Sequence, residues 1–148
     1  MTKVERRSST GRTIVPELAR VLLVDDDPTS RLTVQTILQA GGYRVDSAAS
    51  AAEAYAKMEK REFELVLSDA GMRSAHGGHE VLEHARTMDY RPATAAFTAS
   101  YDDAAKEPVG QLLIESEDVE WLLTKVANLI GSRASRRLSR QLRLQAAN

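Results

Sequence analysis

Short apolar runs that alternate with helix-period segments restrict what this chain can become more than any other feature. Val21-Leu-Leu-Val24 is apolar throughout, with no polar alternation, as a parallel strand buried on both faces requires. Tyr43 to Ser47, Phe63 to Leu67, Ala93 to Phe97 and Leu112 to Ile114 read as further strands. Helical spacing fills the intervals. Asp27 suits an N-cap before Pro28, and Val34, Ile37, Leu38 and Gly41 follow at helical period until Gly41-Gly42 stops the run. Ser50-Ala-Ala-Glu53 is a capping box that opens a helix with Ala54, Tyr55 and Met58 on one face. Val81, Leu82, Ala85 and Met88 mark a third helix, and Val119, Leu122, Leu123, Val126 and Ile130 a last one. Strands alternating with helices long enough for crossovers predict an α/β, doubly wound parallel sheet covered on both faces.

Composition supports one such domain. The 148 residues are 43% hydrophobic and 28% charged, enough apolar material for a single core. There is no cysteine, which excludes disulfides and thiolate metal sites. No apolar run approaches the roughly 18 to 20 residues of a membrane span, and the first residues lack a signal-peptide stretch. These features predict a cytoplasmic protein with no membrane insertion. The net charge of −1 hides an asymmetry: residues 21–131 hold 19 acidic and 10 basic residues, and residues 132–148 hold five arginines and no acid. The chain divides into a basic extension over 1–19, a domain over 20–131 and a basic extension over 132–148.

In open α/β sheets the site lies beyond the carboxyl ends of the strands. The polar residues there are Asp25, Asp26, Asp69, Thr98 and Glu115. No glycine-rich phosphate loop follows the first strand, which disfavours dinucleotide binding. Carboxylates sharing a pocket repel one another, and a hard divalent cation such as Mg²⁺, which prefers oxygen ligands, resolves the repulsion. A carboxylate beside such an ion can attack a phosphoryl donor, and a neighbouring hydroxyl can hydrogen-bond a phosphoryl oxygen.

The order VLLVDDDP, ELVLSDAGM and AAFTAS resembles the receiver domain of two-component response regulators over about three quarters of the chain. The resemblance implies a five-stranded flavodoxin-like fold. It implies Mg²⁺ held by Asp25, Asp26, Asp69 and the backbone carbonyl of Gly71. Asp69 would be the phosphoacceptor and Thr98 the switch hydroxyl, with Ala99 leaving room for the phosphate. The implied partners are a histidine kinase or phosphotransfer protein and a downstream protein target, with no catalytic output domain.

The departures from that family fall on the switch. Glu115 stands where the family has a lysine that bonds the phosphoryl group, and Leu112 where it has an aromatic switch residue. The stretch from Thr98 to Glu115 is short and holds Pro108, and the loop after Asp69 reads Met72-Arg73 in place of Met-Pro. Arg73 is a candidate replacement cation. Weak coupling of phosphorylation to structural change is therefore expected, and the alternative is an interaction module independent of phosphorylation.

Asp25-x-Asp27-x-Thr29 also resembles the nucleophile motif of haloacid-dehalogenase phosphatases, but the required downstream lysine and acidic pair are out of order, since Asp102-Asp103 precedes Lys106. His76 and His79 read as solvated loop residues and His84 as a solvent-facing helical one. If 133–144 continue as a helix, Arg133, Arg136, Arg137, Arg140 and Arg143 fall on one side, with Leu138 and Leu142 on the other. That arc predicts either a packing extension or capture of an anion, a cyclic dinucleotide among the candidates. Arg133-Ala-Ser-Arg136-Arg137 is similar in composition to the arginine-rich segment through which certain chemotaxis-type receivers bind cyclic di-GMP.

Overall fold

A computed structural model describes residues 19–70, 77–98, 113–115 and 119–147. In chain order they form β1 (Arg20–Val24), α1 (Pro28–Ala40), β2 (Arg44–Ala48), α2 (Ala51–Lys60), β3 (Leu65–Asp69), α3 (Gly77–Arg86), β4 (Ala93–Thr98), β5 (Leu113–Glu115) and α4 (Val119–Ala147). The five strands make one parallel sheet in the order β2-β1-β3-β4-β5. The chain leaves β1 toward one edge and returns on its other side at β3. The crevice at the carboxyl ends of β1 and β3 is thus the topological switch point.

The uniform apolarity of β1 has the cause expected of it. Val21 and Leu23 point to a core that includes Val34 and Leu38 of α1, Phe97 of β4 and Leu122 and Val126 of α4. Leu22 and Val24 point to the opposite core, with Ala54 and Met58 of α2 and Val81, Leu82 and Ala85 of α3. Only Arg20 at the start of β1 is partly exposed, and Val21, Leu22, Leu23 and Val24 are all fully buried. Each such side chain stabilises the fold by about 1.5–3 kcal/mol relative to leaving it exposed.

The helix starts read from sequence are present. The Asp27 carboxylate accepts from the Ser30 N–H at 2.7 Å and caps α1. Ser50 Oγ accepts from the Glu53 N–H at 3.2 Å, while Glu53 Oε1 accepts from the Ala49 N–H at 2.8 Å, one residue earlier than a standard capping box. Gly42, at φ 100°, takes the left-handed turn that ends α1.

Several boundaries move. The second, third and fifth strands begin one or two residues later than the apolar pattern suggested, because the parallel ladders and not the apolar residues set their ends. Phe63 precedes β3 yet is fully buried, packing under α2 and α3. Met88 lies past the end of α3, and Val119 is exposed at the start of α4. The last helix does not stop at Gly131: it runs unbroken for 29 residues across the division drawn there.

Candidate phosphoacceptor pocket

The end of β1 builds one wall of the crevice. The Asp25 N–H donates to the Ala48 carbonyl at 3.0 Å, extending the β1–β2 ladder by one residue and drawing the side chain inward. Asp25 is fully buried. Its Oδ1 accepts from the Asp27 N–H at 3.0 Å. Its Oδ2 is buried and has no hydrogen-bond partner. Arg31, one turn into α1, donates to the Asp25 carbonyl at 2.9 Å and fixes the turn between strand and helix.

The end of β3 builds the facing wall. Register pairs Val24 with Ser68, which brings Asp69 level with Asp25. Asp69 is 8% exposed, and the following Ala70 N–H donates to the Phe97 carbonyl at 2.8 Å, so β3 is tied to β4 beyond its last residue. The first turn of α3 presses on this strand end: a Cβ added at Gly78 would lie 2.4 Å from the Asp69 carbonyl oxygen.

Asp25, Asp26 and Asp69 each offer a carboxylate oxygen, and these oxygens lie within 4.8 Å of one another. Two full charges at that separation repel by about 3–4 kcal/mol at an effective dielectric near 20. An unpartnered buried carboxylate oxygen in such a cluster fits a hard divalent cation with oxygen ligands. The phosphatase alternative loses its acid/base: the Asp27 carboxylate is spent on capping α1.

Thr98 ends β4 and pairs in register with Glu115 at the end of β5, so the backbone brings both positions to the rim of the crevice. Their side chains lie outside the described residues, as do Gly71, Arg73, His76, Ala99 and Leu112.

The arginine-rich segment lies at the other pole. Arg133, grouped above with the anion-binding arginines, is instead buried, because its guanidinium is needed inside the fold. Nε donates to the Arg91 carbonyl at 2.9 Å and Nη2 to the Tyr90 carbonyl at 2.7 Å, just before β4 begins. Burial lowers its pKa, with Arg137 adding to the effect. Arg137 shares a groove of about 490 Å³ with Ala19 and Glu64, which precede β1 and β3. These contacts set Arg133 and Arg137 at the amino edge of the sheet, away from the carboxylates. Arg136, Arg137 and Arg143 are exposed and Arg140 is partly so.

His79 and His84 are placed otherwise than expected. His79 lies in the first turn of α3 with Nε2 3.2 Å from Glu83. His84 is stacked on Tyr55 with ring centroids 4.2 Å apart, and is not simply solvent-facing. No local periodicity could have revealed Gly78 or Arg133 as structural supports, since each acts on a backbone carbonyl brought to it by tertiary packing.

Comparison with known proteins agrees with this geometry. The family described as response regulator receiver domain matches residues 21–114. A gliding motility regulatory protein of Myxococcus xanthus is 37% identical over 76 residues, which are 51% of this chain and 9% of that protein. The CheY-like response regulator receiver domain protein of Methanospirillum hungatei JF-1 superposes with a TM-score of 0.64 at 27% identity, covering 81% of this chain and 99% of that one. The response regulator TrrA of Thermotoga maritima, solved in complex with Mg(2+)-BeF, gives a TM-score of 0.63 at 26% identity, covering 76% and 99%. The chain thus spans a small fraction of the curated relative and nearly all of the two solved ones. No described helix is long and apolar enough to cross a membrane.

Proposed function

Because this chain belongs to the receiver-domain family of two-component response regulators, we propose that it carries phosphorelay signals by accepting a phosphoryl group on Asp69. The observation that carries this reading is the buried, unpartnered Oδ2 of Asp25 within a three-carboxylate cluster at the switch point. Asp25, Asp26 and Asp69 would hold Mg²⁺, with the Gly71 carbonyl as a further ligand. When bound, the ion neutralises the cluster and offsets charge on the transferring phosphoryl group. The TrrA complex with Mg(2+)-BeF supports the same assignment by similarity.

Asp69 supplies the nucleophile. One of its carboxylate oxygens attacks phosphorus, the bond from phosphorus to the donor breaks, and an acyl phosphate forms. With acetyl phosphate the leaving group is acetate; with a phosphohistidine donor it is the imidazole nitrogen, which takes up a proton. The donor in the cell would be a histidine kinase or phosphotransfer protein. Asp25, buried and held by the Asp27 N–H, orients the metal-binding face. Thr98 would donate its hydroxyl to a phosphoryl oxygen.

Glu115 brings a carboxylate where a cation would reward phosphorylation, and a ligand shifts a conformational equilibrium only through differential contacts. Phosphorylation is therefore weakly coupled to the fifth strand and last helix. Incubation with acetyl phosphate and Mg²⁺ should add one phosphoryl mass, and Asp69→Asn should remove that addition without unfolding the chain. An adduct that survives the substitution would assign the acceptor elsewhere.

A second reading rests on the exposed arginines of α4. Arg136, Arg137, Arg140 and Arg143 stand on one continuous helix with no acid among residues 132–148. They would attract an anionic ligand, such as a cyclic dinucleotide, independently of phosphorylation. Replacing Arg136, Arg140 and Arg143 by Gln should abolish such binding, and the wild-type affinity should fall steeply with salt.

A further inference from the structure

The distal half of α4 carries a second feature that the arginines do not explain. Asn128, Gly131, Ser135, Leu138, Leu142 and Gln145 recur at alternating spacings of three and four, the period of a two-helix seam. The positions flanking that seam are Ala127, Ser132, Ala134, Ser139, Gln141 and Ala146, so it is uncharged from 127 to 146. Every arginine of the segment falls outside it. Leu138 and Leu142 are each 55% exposed.

Gly131 is the telling residue. Glycine weakens a helix interior, and it is retained where something must approach closely. Among the described residues nothing does: a Cβ at Gly131 would meet no atom within 4 Å. Around it, Ala127, Asn128, Ser132 and Ser135, with Arg136 at the rim, leave an open notch of about 580 Å³ on the outer face of α4.

We infer that α4 pairs with α4 of a second copy of this chain, antiparallel, about a point between Arg136 and Arg137. In that arrangement Leu142 of each copy enters the notch over Gly131 of the other, Leu138 lies opposite Ser135, and Gln145 meets Asn128. Large side chains meet small ones in the Leu142–Gly131 and Leu138–Ser135 layers, and amide meets amide at Gln145–Asn128. A parallel pair would instead set Gly131 on Gly131 and Ser135 on Ser135, leaving two empty layers beside two crowded ones.

Charge selects the same occupant and direction. The seam positions themselves carry no charge, and Arg136 borders the notch only at its rim. Parallel pairing would gather eight arginines, four from each copy, at one end. Antiparallel pairing separates the two basic tips and sets each beside the other copy's body, where residues 21–131 carry 19 acids against 10 bases. The two receiver bodies then sit at opposite ends of the helix pair, and both phosphoacceptor crevices face outward. This inference does not depend on the Asp69 assignment.

Sedimentation of the full chain over a concentration series tests it. The wild type should show a reversible monomer–dimer equilibrium. Gly131→Arg should raise the dissociation constant roughly tenfold or more, while helicity by circular dichroism is unchanged or higher, since arginine favours helix over glycine. The chain has no cysteine, so a mixture of Ser135→Cys and Leu138→Cys chains should form the mixed disulfide in preference to either homodimer on oxidation. A wild type that stays monomeric up to millimolar concentration, a Gly131→Arg chain that dimerises as tightly as wild type, or preferential homodimer cross-links would each overturn the inference.

Discussion

Replacing Gly78 by alanine sets two effects of opposite sign against each other. Gly78 lies in the first turn of α3, and alanine there gains up to about 1 kcal/mol of helix propensity. The new Cβ would meet the Asp69 carbonyl oxygen at 2.4 Å and Ser68 Oγ at 3.3 Å. Restoring an ordinary 3.4 Å contact requires a retreat of 3.4 − 2.4, or 1.0 Å, between the helix and the strand end. The atom in the way is backbone, held by the β3–β4 ladder, so it cannot rotate aside as a side chain would. Overpacking of this kind costs typically about 1–3 kcal/mol. The structure places the contact among fully buried neighbours, so the clash should win, with a net loss of about 1–2 kcal/mol and a melting temperature lower by roughly 2–8 °C. A shift of that size at Asp69 should also slow phosphorylation by up to about a hundredfold. Urea unfolding and the rate of adduct formation from acetyl phosphate measure the two effects. Gly131→Ala, measured at a concentration where the chain is monomeric, is the control, since its Cβ meets nothing within 4 Å in the single chain and should stabilise the helix. A Gly78→Ala chain as stable as wild type, or more so, would refute the packing argument at the end of β3.

Arg133→Met should destabilise the fold by about 1–3 kcal/mol, because it leaves the Tyr90 and Arg91 carbonyls without their donor; hydrogen exchange should rise in the turn before β4. Asp25→Asn should raise the melting temperature in the absence of metal, by relieving carboxylate repulsion, and weaken Mg²⁺ binding roughly tenfold or more; melts with and without Mg²⁺ check both signs. Burial pushes the Tyr90 phenol up to about 12, aided by Glu62 and Glu59 and opposed by Arg133. The unfolded chain then ionises first, so the stability this group contributes is full below pH about 10 and is lost as pH rises through 12. The urea midpoint should fall across that window, and fall less in Tyr90→Phe.

What the sequence disclosed and what it hid follow one physical division. The unbroken apolarity of Val21–Val24 reports burial on both faces directly, and Asp27-Pro28 reports a helix start through local geometry alone. The three carboxylates could be grouped because parallel strands deliver their ends to one side of the sheet. Arg133 could not be read: it makes hydrogen bonds to residues more than forty positions away, and from sequence its charge resembles that of its solvent-exposed neighbours. The sequence offered a helix over 133–144 but not its continuity with the one before it, since Gly131 in isolation suggests a boundary. The helix continues because Leu122 and Val126 anchor its first half in the core and Arg133 fastens the next turn to the edge of the sheet.

The central claim is that Asp69, and no other carboxylate of the cluster, takes the phosphoryl group. Borohydride reduction of an aspartyl phosphate converts that residue to homoserine, which peptide mass spectrometry can locate. After incubation with acetyl phosphate and Mg²⁺, homoserine should appear at position 69 alone and be absent when Mg²⁺ is chelated. Homoserine at Asp25 or Asp26, or at no position despite bound Mg²⁺, would contradict the account.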